Sequence, residues 1–86
     1  AMALVMARDL GPQGIRVLAI APSLFATGAT AKFTAEQVAP LVEDAAFPKR
    51  MGRPEEFAKL ALAIVDNPML NGQALRLDAG QRFAPR

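Results

Sequence analysis

The chain has 86 residues, 52% hydrophobic and 21% charged, the balance of a soluble globular segment and not of a disordered or membrane-embedded one. Ten bases against eight acids leave a formal net charge of +2. The bases stand in blocks of no more than two with no aromatic platforms between them, so nucleic acid is not an expected partner.

Cys, His, Tyr and Trp are all absent, which removes disulfides, thiolate chemistry, histidine-based proton transfer and Cys/His zinc sites. Ser23 is the only serine and has no histidine to activate it. No residue is therefore assigned a catalytic role, and none a metal-ligating one. No apolar run approaches the roughly 18 residues of a membrane span. The apolar start Ala1–Ala7 lacks the basic leader of a signal peptide. No membrane partner is expected, and a cytoplasmic location is the default.

In chain order, Ala1–Leu10 is rich in Ala, Leu and Met and stops at Gly11-Pro12, which predicts a helix. No Ser, Thr, Asp or Asn precedes it to cap its first amides. The chain is thus expected to begin inside a helix, the alternative being a short helix with a frayed first turn. Ile15–Ala21 is apolar apart from Arg16 and predicts a strand covered on both faces of a parallel sheet. The run is expected to leave the sheet at Pro22, which cannot donate to a ladder. Thr34-Ala35-Glu36-Gln37 has the form of a capping box, with Val38, Leu41, Val42 and Ala45 following at helical spacing; Pro40 predicts that this helix is short or kinked. Pro54-Glu55-Glu56 opens the strongest helix, with Phe57, Leu60, Ala61, Ile64 and Val65 on one stripe and Asn67-Pro68 as its stop. Leu62 and Ala63 widen that apolar surface, which predicts a second covered side. Ala74–Leu77 is a second, shorter strand, and the long connection between the two predicts parallel pairing.

Two strands and about three helices make an α/β segment, too few elements for a complete doubly wound sheet. Such a pair leaves sheet edges and faces bare. Ligands of parallel α/β sheets bind at the carboxyl ends of the strands, so the loop from Pro22 to Thr27 is the candidate site.

Arg8-Asp9-Leu10, Gly14-Ile15-Arg16-Val17, Ile20-Ala21-Pro22, Thr27, Arg50-Met51-Gly52-Arg53-Pro54-Glu55-Glu56, Asn71-Gly72-Gln73 and Leu77-Asp78-Ala79-Gly80 follow one another in this order. The succession resembles the carboxyl-terminal part of a short-chain dehydrogenase/reductase. Pro22–Thr27, Phe47-Pro48-Lys49-Arg50 and Asn67–Gly72 are most similar to the type-2 3-hydroxyacyl-CoA dehydrogenases. The resemblance covers residues 1–86 and about the last third of a family member. It implies a carboxyl-terminal fragment of the domain, built as the end of a Rossmann-type doubly wound parallel sheet.

What the resemblance implies for function is an NAD(P)-dependent oxidoreductase, NAD favoured over NADP. It would interconvert a secondary alcohol and a ketone on a small-molecule substrate, an acyl-CoA such as 3-hydroxyacyl-CoA in the subgroup. The family's glycine-rich loop, catalytic serine and Tyr-x-x-x-Lys pair would precede Ala1, so the chain alone is expected to be catalytically silent. The cofactor-binding positions carried over are Pro22, Ser23, Leu24, Phe25 and Thr27: the loop backbone would pass along the nicotinamide and the Thr27 hydroxyl would bond its carboxamide. The complete protein would be a homo-oligomer, paired through the helix Pro54–Asp66 and the strand Ala74–Leu77.

Two positions depart from the family pattern. Ser23 stands where glycine is usual and is either a crowded or strained replacement or a harmless loop residue. Leu18 stands where Asn is usual. Asp78 reads as a turn residue closing the last strand, and Met69 and Phe83 as packing or interface residues. A reading of a different class remains beside this one, a noncatalytic truncated protein acting as an oligomerisation or interaction module.

Overall fold

The computed structural model describes residues 2–82. Ala1, at the start of the first predicted helix, and Phe83 lie outside the described residues. Helix α1 (Met2–Leu10) buries Ala3 and Ala7, one turn apart on a single face. Its larger apolar side chains, Met2, Leu4, Val5 and Met6, remain exposed. The Gly-Pro stop continues as one 3-10 turn, Gly11–Gln13, closed by the Gly14 amide donating to the Gly11 carbonyl at 2.8 Å.

Strand β1 (Ala19–Pro22) pairs in parallel with β2 (Ala74–Leu77) in the register Ala19↔Ala74 through Pro22↔Leu77. The predicted second strand is found at its predicted bounds. The first is shorter than the predicted Ile15–Ala21 at its start and longer at its end. Opposite its first half lies a turn and not a strand. There Val17 N–H donates to Asn71 Oδ1 (2.9 Å) and Gly72 N–H to the Val17 carbonyl (2.8 Å). Gly72 has a φ of +71°, and a Cβ on it would lie 3.0 Å from Leu4 Cδ1, so the turn passes α1 where a side chain would crowd it. At the other end Pro22 stays in the ladder. The amides of Ala19 and Ser23 point at β2, donating to Gln73 and Leu77 carbonyls at 3.0 and 3.2 Å. With a period of two, the nitrogen of Pro22 faces away from β2, where its missing hydrogen removes no bond.

Helix α2 (Ala35–Val42) starts at the expected box: Gln37 N–H donates to Thr34 Oγ1 at 3.2 Å and Thr34 N–H to Gln37 Oε1 at 2.8 Å. With Pro40 inside it, the helix is only eight residues long. Helix α3 (Pro54–Asp66) has its predicted bounds. Leu60, Ala61 and Ile64 are half-buried, whereas Val65, expected on the same stripe, is 68% exposed. The Arg16 guanidinium occupies the carboxyl end of α3, with Nη1 donating to the carbonyls of Ile64 (2.9 Å), Asn67 (3.0 Å) and Leu70 (3.0 Å) and Nη2 to that of Val65 (3.1 Å). This is a cation placed at the negative end of a helix, bonded to the Ile64 and Val65 carbonyls of the last turn and the Asn67 and Leu70 carbonyls just beyond it; those of Ile64 and Asn67 also accept the Asn67 and Leu70 N–H groups.

Among the described residues the buried apolar side chains are Ala3, Ala7, Val42 and Ala45, so none larger than valine is enclosed. Ala19, Ala21, Ala74 and Arg76, which share one sheet face by register, are all exposed. The Cα radius of gyration is 15.6 Å, against about 12 Å for a self-contained domain of this length. One face of the two-stranded sheet is thus bare, as expected, whereas Ile20, Leu75 and Leu77 on the other are half-buried. No helix of the described residues is long and apolar enough to cross a membrane.

Candidate functional site

The carboxyl end of β1 runs into Ser23–Thr27, and a cleft of about 760 Å³ opens beside it. Pro22, Ser23 and Leu24 line it from the loop, Leu41 and Asp44 from α2 and just beyond, and Asp78 from the turn after β2. The elements explain the gap: β1 and β2 end side by side, and the segment after α2 returns to them. There Ala46 and Phe47 N–H donate to the Ala79 carbonyl at 2.9 and 3.2 Å. Gln81, buried, donates its Nε2–H to the Leu41 carbonyl at 3.0 Å and ties α2 to the same turn.

Not all five positions carried over from the resemblance face this cleft. Pro22, Ser23 and Leu24 do; Phe25 instead borders a second cavity of about 210 Å³ with Arg50, Gly52 and Glu56. Ser23 lines both. Thr27 is exposed, lines neither, and its hydroxyl makes no cap hydrogen bond. Its backbone is fixed by Thr30, whose hydroxyl accepts the Thr27 N–H at 3.0 Å and donates between the carbonyls of Phe25 and Thr27, 2.6 Å from each. Thr30 opens no recognisable motif, and its spacing of three from Thr27 is the only sequence signal for this turn.

Ser23 does not have a positive φ; among the described residues Ala79 is the sole non-glycine that does. The strained-backbone reading of Ser23 is therefore incorrect, because the loop here uses conformations open to any L-residue. Asp78 does form the turn. Its Oδ1 accepts the Gly80 N–H at 3.1 Å, and its Oδ2 accepts from Arg76 Nε at 3.0 Å and Arg82 Nη1 at 3.2 Å. Burial pushes its carboxyl upward. The Arg76 and Gly80 hydrogen bonds, with the charges of Arg76 and Arg82, outweigh that and leave its pKa below the ordinary value. Asp78 is thus an ionised acceptor at the cleft wall, not a proton donor. Met69, 88% exposed, lies outside both cavities.

The sequence reading missed the strut behind the loop. Gly52 forms a parallel bridge with Phe25: Gly52 N–H donates to the Leu24 carbonyl and Ala26 N–H to the Gly52 carbonyl, both at 2.9 Å. Glu56 brackets the glycine. Its carboxylate takes both arms of the Arg50 guanidinium (2.7 and 2.8 Å) and the Arg53 N–H (2.8 Å). The Arg50 hydrogen bonds, followed by that of the Arg53 amide, hold its pKa down to about 2. Around the cleft the arrangement offers a ligand the Ser23 hydroxyl, the charged side chains of Glu43, Asp44, Arg76 and Asp78, and an apolar wall of Pro22, Leu24, Pro40 and Leu41. Among the described residues no three His, Cys, Asp or Glu side chains cluster as a metal site.

The family model described as Enoyl-(Acyl carrier protein) reductase, one of the short-chain dehydrogenase/reductase families, matches residues 1–82. Human 3-hydroxyacyl-CoA dehydrogenase type-2 is 45% identical over 98% of this chain and 32% of its own length. The protein of that name from Drosophila melanogaster is 44% identical over 98% of this chain and 33% of its own. Among solved structures, 3-hydroxyacyl-CoA dehydrogenase type-2 from Mycobacterium avium superposes with a TM-score of 0.87 at 39% identity, covering 99% of this chain and 32% of that one. A 3-oxoacyl-[acyl-carrier protein] reductase from Brucella melitensis gives 0.82 at 32% identity, over 96% and 31%. The chain thus spans about a third of the length of the curated relatives it matches.

Proposed function

The chain belongs to the short-chain dehydrogenase/reductase family, and from that premise we propose that it supplies the nicotinamide-side wall of the dinucleotide site in an NAD(P)-dependent oxidoreductase. The reaction is the interconversion of a secondary alcohol and a ketone, with 3-hydroxyacyl-CoA and 3-oxoacyl-CoA as the pair. The observation that carries the reading is the placement of Pro22, Ser23 and Leu24 on a cleft of about 760 Å³ at the carboxyl end of a parallel strand, where α/β sheets bind ligands. The names of the relatives support the substrate class.

In this reading the loop backbone lies along the nicotinamide ring and the exposed Thr27 hydroxyl bonds the carboxamide, fixing which ring face receives the hydride. Thr30 contributes by holding the Thr27 backbone. The proton exchanged with the substrate comes from a residue outside this sequence, which has no tyrosine. NAD is the proposed dinucleotide ahead of NADP.

A second reading has its own support in the exposed apolar side chains of α3, Leu62 at 65% and Val65 at 68%. The outer face of α3, with β2, is proposed as the surface through which subunits pair.

The test joins this segment to the preceding part of human 3-hydroxyacyl-CoA dehydrogenase type-2 and measures NADH binding and 3-oxoacyl-CoA reduction by the chimeric subunit. Binding and turnover are expected. Thr27→Ala should weaken NADH binding by about 1–2 kcal/mol, the cost of leaving the carboxamide without its partner once the preceding part of the subunit covers it. A folded chimera that does not bind NADH, or a Thr27→Ala variant that binds it unchanged, overturns the reading of the loop.

A further inference from the structure

We propose that Gly52 is a positioning residue of the dinucleotide loop: the missing side chain at this residue lets the Phe25 ring lie against the backbone, and that contact sets how far Ser23–Thr27 stands from the cleft. The proposal rests on the reading of that loop as the nicotinamide wall. A Cβ on Gly52 would lie 2.5 Å from Phe25 Cε2 and Cζ and 2.7 Å from Cδ2, distances at which one of the two residues must move.

Both partners carry contacts that a displacement would strain. The Phe25 ring is met edge-on by Phe57, with centroids 6.2 Å apart and planes at 89°. Gly52 is flanked by two groups on one anchor, the Arg50 guanidinium and the Arg53 N–H, both bound to the Glu56 carboxylate. Its own N–H and carbonyl are committed to Leu24 and Ala26. The Phe25 ring also borders the cavity of about 210 Å³, so the proposal requires the shift to be taken up at the Phe25 backbone, and hence by the loop. The Phe25 carbonyl accepts the Thr27 N–H at 3.0 Å and the Thr30 hydroxyl at 2.6 Å, so a shift at residue 25 moves the threonine proposed to hold the carboxamide. Glycine at 52 is required by the space and not by the backbone, since its φ is not in the left-handed region.

The test is a double-mutant cycle in the chimeric subunit, read as the dissociation constant for NADH below the unfolding transition of every variant. Gly52→Ala should weaken NADH about tenfold, the size expected of a methyl group forced into a packed contact. On a Phe25→Ala background, where the clashing ring is gone, adding Gly52→Ala should change the constant less than about twofold. If Gly52→Ala by itself does not fold, the pair on the Phe25→Ala background still decides, because a large effect there cannot come from the ring. Equal weakening by Gly52→Ala on both backgrounds overturns the proposal, as does unchanged NADH binding by Gly52→Ala. If Gly52→Ala is silent while Thr27→Ala weakens binding, the positioning role alone is refuted. If both are silent, the reading of the loop falls with it.

Discussion

Replacing Arg16 with methionine keeps most of the apolar stem and removes the guanidinium that gathers four carbonyls at the end of α3. Two of its bonds, to Ile64 at 2.9 Å and Leu70 at 3.0 Å, are partly buried; those to Asn67 and Val65 are exposed. Water replaces the exposed pair at little cost. Each partly buried bond to a charged donor is worth about 1.5 kcal/mol, so Arg16→Met should loosen the connection between α3 and β2 by about 3 kcal/mol. Amide hydrogen exchange reads this locally. Gly72, which donates to Val17, and Ala19, which donates to Gln73, should exchange about 100-fold faster, since each 1.4 kcal/mol is a factor of ten. Val38, bonded to Thr34 in α2, should be unchanged. Arg16→Lys should recover less than half, because one ammonium cannot span carbonyls that the planar fork bridges. An increase below threefold at Gly72 and Ala19, or an equal increase at Val38, would refute the local clamp.

Three further outcomes are expected. Glu56 has its pKa depressed from 4.5 to about 2 in the folded chain, so its contribution is fully present above pH 4.5 and is lost as the pH falls toward 2. Thermal unfolding across that window should show the gap between wild type and Glu56→Gln closing as acid is added, and a gap independent of pH would contradict the Arg50–Glu56–Arg53 strut. Ser23→Gly should leave NADH affinity unchanged and lower stability by about 0.4–1 kcal/mol through the freer unfolded chain, measured by urea unfolding; a gain in stability would restore the strain reading. On the proposed pairing of subunits through α3, Leu62→Glu should lower the mass read by light scattering while leaving helical circular dichroism intact, because Leu and Glu differ little in helix propensity; an unchanged mass removes α3 from the proposed interface.

The elements legible in the sequence are those whose ends carry their own chemistry. Thr34 and Gln37 close a box on each other, and Pro54 opens α3 while Asn67-Pro68 ends it; both helices stand where these residues put them. Ala74–Leu77 was legible because turn residues bound it on both sides. The start of β1 was not. Hydrophobic pattern says that Ile15–Leu18 is extended, but only a partner makes an extended segment a strand, and opposite those residues the chain supplies a turn. The candidate loop was located through its position after a strand and through the family resemblance. Its internal geometry was hidden because Thr30 looks like an ordinary loop residue, and Gly52 and Glu56, though part of the Arg50–Glu56 motif, do not show what they hold until the fold brings residues 25 and 52 together.

The same contrast explains how the loop is held in a chain with so little enclosed packing. Precise placement ordinarily comes from interlocked large side chains, yet the buried apolar residues described here are three alanines and one valine. Polar side chains bonded to backbone groups take over that task. Arg16 fixes the end of α3 to the start of β1's extended segment, Glu56 ties Arg50 to Arg53, and Thr30 grips the carbonyls of Phe25 and Thr27. Such bonds are directional and tolerate little displacement, whereas an apolar contact between small residues can slide. The loop is therefore positioned by a few specific hydrogen bonds more than by the size of the core beneath it.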